Sequence, residues 1–527
     1  MRPLCSGPRW SGWFLGGVLL PGLAAALPGC LQPDPAGPRP LQDAPAFSEA
    51  GPVAPPQRWW ESFDDPGLTG AVEQALGDNF NLAAAWQRLR ATRAIARRTA
   101  ADLYPQLDAF AAAELQTGDG EEFDQGSDRD EEYALGLRVA YEVDLWGRIG
   151  AAVRADRLEA AATLSDYRAA ALSLAAEVTR TWLSLTEARL QLGLLEQQIR
   201  TNRQVLELLQ SRFAAGQVQS ADVLRQQRLI ESTREQAIAA RSRIEVLEHQ
   251  LAVLTGRPAQ AATGQGPPQP RSGSGDGSAP GSDSELDESP APEREAIDAL
   301  PRLPPLPATG VPAELVQRRP DVRRVWLLLE AANADLASAV RDQYPRLDLS
   351  GSLTTTASRP GELFNEWVAT LAGQVVGPLI DGGRRRAEVR RTQAVSRQRL
   401  AEYGQSVLEA FAEVEDALTV GRYEAQRVTS LQRQLDLTRR TLERLRTQYL
   451  NGVIDYLPVL SALIEQQQLE RDLLSAQLSR LTNRVDLYRA VAGAVATPAD
   501  PRAGEAGNRE VLDPEEMLDD AGVDDDE

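Results

Sequence analysis

The sequence predicts a mainly α-helical chain that also carries membrane β-structure: duplicated long helical hairpins, seamed as coiled coils, plus four barrel strands. Three observations carry that expectation. Gly147–Phe213 runs for 67 residues without proline, rich in Ala, Leu, Arg, Glu and Gln, residues that cost little in a helix. Adding 236 to its numbers lands on a second such stretch without a gap: Gly147 falls on Gly383, Arg148 on Arg384 and Gly216 on Gly452. Internal duplication accounts for this. In four shorter stretches the hydrophobic period changes from about 3.6 to 2, the mark of half-buried strands.

The totals exclude several functions. Formal net charge is −20, which argues against nucleic acid as a partner. Half of that charge lies in 497–527, which holds 12 Asp/Glu and 2 Arg; two further acidic clusters lie at 119–132 and 276–298. One histidine, His249, and two methionines make no His/Met metal site. His249 sits among helical residues without a nearby nucleophile, so neither an enzyme nor a bound cofactor is expected. The acidic loop 119–132 lacks the glycine-fixed spacing of a calcium loop. No run beyond the N-terminus reaches the ~18–20 apolar residues of a membrane helix.

Residues 1–29 read as a signal peptide: Arg2 and Arg9 precede the apolar run Trp10–Leu27. The ending Leu27-Pro-Gly-Cys30 resembles a bacterial lipoprotein signal, which makes Cys30 the lipidated first residue of the mature chain. An ordinary signal peptide with a stray thiol is the plainer reading, but Cys5 is the sole other cysteine and lies inside the signal, so no disulfide is available. Residues 30–57 are Pro-rich and read as an extended tether.

The first structural repeat covers 58–258. A helix is expected over 67–103, ending at Tyr104-Pro105 because the residue before proline resists the helical region. Two alternating runs, Leu107–Leu115 and Tyr133–Val143, form a hairpin around the acidic loop. Each is about 10–11 residues, the length of a tilted membrane-crossing strand. The long helix follows, with a seam at Leu195, Ile199, Asn202, Leu206, Leu209 and Phe213. Gly216 ends it in the left-handed conformation. Ser220 or Asp222 can cap the return helix, whose seam includes Ile230, Ala237, Ile244 and Leu251. Residues 259–309 form a Pro, Gly, Ser and acidic insert, equatorial or disordered.

The second repeat, 310–496, replays the first. A helix over 313–342 leads to Tyr344-Pro345, with alternating runs near Leu347–Thr355 and Phe364–Val376. The second long seam reads Leu431, Leu435, Thr438, Leu442, Leu445, Tyr449, and Thr438 falls on the polar position of Asn202. Asn451-Gly452 turns into a return helix with Leu474, Leu478, Leu481, Val485 and Tyr488 on its seam. An acidic tail, 497–527, closes the chain.

Four strands cannot close a barrel, and an open sheet edge in lipid leaves backbone groups unsatisfied. The chain must therefore pool strands with copies of itself; a dimer would supply eight and a trimer twelve, and both numbers fit known barrels. Copies would likewise close the helices into a tube. A periplasmic coiled-coil lipoprotein that tethers membranes would explain the heptads and Cys30, but not the strands.

These features resemble the TolC-like outer-membrane factors, in particular the lipoprotein branch that serves multidrug efflux pumps. The motifs are Leu-Tyr-Pro-Gln-Leu-Asp at 103–108, Asp-Leu-Trp-Gly-Arg at 144–148, Arg-Phe-Ala-Ala-Gly at 212–216, Arg-Arg-Pro-Asp at 318–321, Ala-Ala-Asn-Ala at 331–334 and Gln-Tyr-Leu-Asn-Gly at 448–452. The resemblance implies a homotrimer with a 12-stranded barrel, a helical periplasmic tunnel, and an equatorial belt. It implies docking to a periplasmic adaptor (membrane fusion) protein and an inner-membrane RND-type transporter, with this chain as the passive exit duct. A type I secretion duct is the sister reading. The resemblance also places a gate at the helical tips, around Gly216, Gly452 and Tyr449. Many such proteins carry an acid nine residues after the second tip glycine; Ser461 stands there in this chain. Asp455 and Asp222 are the remaining tip acids, and they also fit the plain role of helix-start carboxylates.

Overall fold

The structure, a computed structural model, describes residues 46–52, 56–117, 129–259, 299–309, 318–491 and 495. In chain order the elements are α1 (Pro66–Asp78), α2 (Phe80–Ala100), β1 (Gln106–Thr117), β2 (Arg129–Val143), α3 (Arg148–Ala214), α4 (Ser220–Leu254), α5 (Pro320–Arg341), β3 (Arg346–Ala357), β4 (Val368–Val376), α6 (Arg384–Leu450) and α7 (Tyr456–Val491). Cys30, the signal segment, most of the insert and the acidic tail lie outside the described residues.

The duplication holds to the residue at the starts of the four hairpin helices. α3 and α6 are each 67 residues long and start 236 apart; α4 and α7 start the same distance apart. At about 1.5 Å per residue each long helix spans roughly 100 Å. Both are preceded by a glycine at positive φ, Gly147 at 75° and Gly383 at 86°, a conformation that costs a side-chain-bearing residue strain. The strands keep a different offset. β1 and β3 both have 12 residues and start 240 apart, so the second hairpin takes four fewer residues to reach its long helix.

Two expected helices are broken and one expected strand is shortened. The helix expected over 67–103 is two helices, broken at Asn79. Asn79 is extended, its Oδ1 accepts from Leu82 N–H at 3.0 Å, and its Nδ2 donates to the Leu254 carbonyl at 2.9 Å. The break is therefore fixed by the far end of α4, a contact invisible to local pattern. The helix expected over 313–342 is broken at Arg319, which is extended ahead of the proline, so that α5 starts at Pro320; Arg318 is helical and 313–317 lie outside the described residues. β4 starts at Val368 rather than Phe364, since a 3-10 turn at Pro360–Glu362 takes up the preceding residues and the Thr355 hydroxyl bonds to the Leu363 carbonyl. Neither Ser220 nor Asp222 caps α4: Gln219 holds the cap position without a side-chain bond.

α3 is the central element. Toward the sheet it packs on α2 and α5; toward the far end it packs on α4 and α7, and α6 flanks α5 and α7. A belt of aromatics joins the two repeats midway. Trp59 stacks on Tyr488 with ring centroids 5.6 Å apart, and Trp60 and Phe63 complete the cluster. Leu300 and Leu303, from the end of the insert, pack against it. Of the stretch expected as an extended tether, residues 46–52 and 56–57 are described, and they are partly packed: Phe47 meets Phe411 edge-on at 6.1 Å and Ser48 bonds to Glu415.

The four strands form one antiparallel sheet in the order β1-β2-β3-β4. β1 and β4 are its two edges, and every residue of β4 is exposed.

Candidate functional site

Two places on this scaffold are candidate sites: the sheet and the far tips of the helical hairpins. The sheet is two-faced because its register aligns like with like. Leu107 pairs with Val139, Val139 with Gly351 and Gly351 with Leu371, while Leu137 pairs with Leu353. One residue along, Asp108 pairs with Arg138, Arg138 with Ser352 and Ser352 with Thr370. Since side chains alternate along a strand, one face is apolar and the other polar. A sheet with lipid on one side and water on the other needs this division. Gly136 lies on the polar face beneath Phe110, where a Cβ would come within 2.9 Å of the ring. The Arg138 guanidinium lies 5.1 Å from the same ring.

The sheet is anchored where it meets the helices. Arg148 binds both carboxylate oxygens of Glu142 at 2.8 Å. Asp144 accepts from the amides of Ile149 and Gly150, and Asp381 from those of Gly383 and Arg385, so each long helix starts on a carboxylate. These amide bonds hold the Asp381 carboxyl below its usual pKa. Trp146 stacks on Tyr344 at 5.1 Å and its Nε1 donates to the Pro345 carbonyl at 2.7 Å. Of the arginines opening α6, Arg385 binds Asp342 at 2.9 Å and Arg391 pairs with Glu388 at 2.7 Å.

At the tips, Gly216 and Gly452 turn their chains at nearly the same φ, 70° and 71°. Asp222 lies in the first turn of α4, bound to Arg225 at 3.0 Å. Asp455 is exposed immediately before α7. Ser461 is exposed too, but its hydroxyl donates back to the Leu457 carbonyl at 3.0 Å. Tyr449 is buried, with Tyr456 at 5.6 Å on its ring and the Arg212 guanidinium at 4.9 Å. The fold thus joins Tyr449 to both hairpins and leaves Asp455 and Ser461 on the surface.

The sequence reading missed the polar layer above this point. The Tyr456 hydroxyl donates to Gln226 Oε1 at 2.7 Å, and Gln226 Nε2 donates to the Asn202 carbonyl at 2.9 Å. Asn202 and Gln467 bond reciprocally, at 3.0 and 3.3 Å. Gln198 and Arg471 continue the chain at 2.7 Å. Burial, followed by the neighbouring Tyr449 and Asp222, pushes the Tyr456 hydroxyl well above its usual pKa, so it remains a donor. A signal existed. Gln467 lies seven residues before Leu474 on the line Leu460, Gln467, Leu474, Leu481, and Asn202 lies between Leu195 and Leu209. Single amides in such lines specify pairing at some cost in stability.

Among the described residues no helix is long and apolar enough to cross a membrane, and no group of three or more His, Cys, Asp or Glu side chains could hold a metal ion.

Known proteins share this arrangement. The pyoverdine export outer membrane protein OpmQ of Pseudomonas aeruginosa is 29% identical over 450 residues, 83% of this chain and 87% of that protein. The cation efflux system protein CusC of Escherichia coli is 26% identical over 485 residues, 89% of this chain and 97% of its own. The outer-membrane channel OprN superposes with a TM-score of 0.74 at 28% identity, covering 88% of this chain and 98% of that one. The outer membrane efflux protein family matches residues 71–257 and 311–493. That match takes in both repeats and omits the tether, the insert and the tail, and on it this chain belongs to the outer membrane efflux protein family.

Proposed function

We propose that three copies of this chain pool their sheets into a 12-stranded barrel, with the helices continuing as a periplasmic tunnel, and that the trimer is the outer-membrane exit channel of a tripartite efflux pump. The observation that supports this most is the two-faced sheet with two unpaired edges. Such a sheet is stable in lipid only when closed, and one chain cannot close it. Its partners are a periplasmic adaptor and an inner-membrane RND-type transporter, which supplies the energy. The chain is anchored in the outer membrane by acylation of Cys30, and its signal peptide is removed. The Arg-Arg-Pro-Asp motif and the lipoprotein-like signal favour efflux over type I secretion. The relatives are named for pyoverdine and for cations; the cargo of this chain is of the same small-molecule size class.

At the tips, Asp455 contributes to the constriction, because it is the exposed carboxylate beside the second tip glycine where Ser461 supplies no charge. Purified protein in planar bilayers tests the reading: discrete current steps and a heat-sensitive trimer band are expected, whereas a tether gives neither. Asp455→Ala should change conductance and weaken cation preference. Unchanged values would remove Asp455 from the gate without touching the channel.

A further inference from the structure

The most exposed large apolar side chains among the described residues are Leu379 and Ile380, at 97% and 95%, in the segment joining β4 to α6. They sit at the base of an edge strand, where the sheet hands over to the helices. The other edge carries a matching exposure: Tyr104, just ahead of β1, is 70% exposed. Two bare apolar sites on opposite edges of one sheet invite a single explanation.

The chain contains a worked copy of the missing contact. Between its two repeats, β2 pairs antiparallel with β3. There the segment after β2 lies against the segment before β3: Trp146 stacks on Tyr344 and bonds to the Pro345 carbonyl. Tyr344, so covered, is 43% exposed. Tyr104-Pro105 is the counterpart of Tyr344-Pro345, 240 residues earlier, and the segment after β4 is the counterpart of the one after β2. If β4 of one copy pairs with β1 of the next, the same geometry repeats across the copies. β4 runs down to this base and β1 starts from it, so antiparallel pairing brings the residues after Val376 beside those before Gln106. The tryptophan itself does not recur: Gly382 stands in its place, and Leu379 and Ile380 lie just before it.

We infer that Leu379 and Ile380 of each copy clasp Tyr104-Pro105 of the next copy, an intermolecular version of the Trp146–Tyr344 stack that locks the base of the barrel. The occupant is a second copy of this chain. The internal template has a protein partner, and the tyrosine on the opposite edge lacks a covering ring of the kind Tyr344 has. This clasp rests on the proposed pooling of strands.

The full-length protein, carrying photoreactive benzoylphenylalanine in place of Ile380, tests it in lipid. Irradiation should give covalent two-copy and three-copy bands, with the cross-linked peptide containing Tyr104. The same residue in place of Leu353, inside the sheet of a single chain, should give no such band. Adducts to lipid alone, or to the same chain alone, overturn the clasp. A second measurement is the temperature at which the oligomer band dissociates. Leu379→Ser with Ile380→Ser should lower it, Tyr104→Ser should lower it by a similar amount, and the triple variant should fall no further than either. Additive losses overturn the clasp. Stoichiometry is read separately: a two-copy oligomer still cross-linked at Tyr104 sinks the trimer and keeps the clasp, and a trimer without the Tyr104 peptide does the reverse.

Discussion

α3 and α6 have the same length, the same leading glycine and the same tip turn, yet α3 buries 26 of its residues and α6 buries 10. Duplication copied the element and left its surroundings to topology. α3 has α2, α4, α5 and α7 around it, and its sheet-side half is filled with small residues such as Ala171, Ala175 and Ala176 that let those helices approach. α6 has α5 and α7 on its flanks, and it keeps Leu408, Val420, Tyr423 and Leu437 on its outside. A helix buried by its own chain and a helix that its own chain leaves largely open thus arise from one duplicated segment.

One substitution in each helix separates the two roles most strongly. Leu183, fully buried in α3, should cost about 2–5 kcal/mol of unfolding free energy on Leu183→Ala. Leu437→Ala in α6, at 62% exposure, should change the unfolding of a detergent-separated chain by less than about 0.5 kcal/mol. It should instead lower the dissociation temperature of the assembled oligomer. Denaturant unfolding of separated chains, set beside heat dissociation of the assembly, reads both; equal losses would dissolve the contrast.

The next effect is smaller and belongs to the second repeat alone. α1 starts on Asp65, which caps Leu68 N–H at 3.0 Å and accepts from the Trp182 indole at 2.9 Å. α5 starts on Arg319, which holds Asp321 at 2.6 Å, Glu413 of α6 at 2.8 Å and the Ala490 carbonyl of α7 at 3.3 Å. Arg319→Met should cost about 2 kcal/mol, the scale of charge-assisted hydrogen bonds to a buried group. Burial opposes ionisation of Asp321, but the hydrogen bonds and charge of Arg319 outweigh it and hold its pKa below the usual value. A depressed folded pKa contributes stability that is complete above the unfolded value of about 4 and is lost as pH falls through the folded one. Asp335 and Glu159, raised first by burial and then by neighbouring carboxylates, act in the opposite sense: their contribution fades as pH rises above about 4. The difference between natural and Arg319→Met profiles isolates the Arg319–Asp321 pairing, and it should narrow below about pH 4. The chain has no lysine, so its 56 basic Lys/Arg positions are all arginine.

The smallest effect tests equivalence. Gly216→Ala and Gly452→Ala should each cost about 1 kcal/mol, because φ is positive at both and nothing crowds either Cβ. Unequal losses, read by thermal unfolding, would show that assembly treats the two tips differently.

Much of this was legible because it is local or periodic. The proline-free runs, the shared offset, the glycines at helix ends and the alternating strands all follow from short-range rules. What escaped depends on distant partners. Asn79 breaks a helix because Leu254 is there to accept its amide. Trp59 and Trp60 open the first repeat ahead of its expected helix and belong to no expected element, yet they fill the belt beside Tyr488. Gln226 and Gln467 are interior because α3, α4 and α7 pack around them. At the tips, the sequence singled out Asp222 and Asp455 for their charge, whereas the buried connection between hairpins runs through Tyr449 and Tyr456.

The two open margins of the sheet have a consequence for synthesis. A solitary newly made polypeptide is an unfinished article with sticky selvedges, prone to join the wrong cloth. On the proposed stoichiometry its maturation is a many-body encounter, so yield should fall more steeply than expression. A cell that halves its output of this chain would lose more than half of its finished conduits.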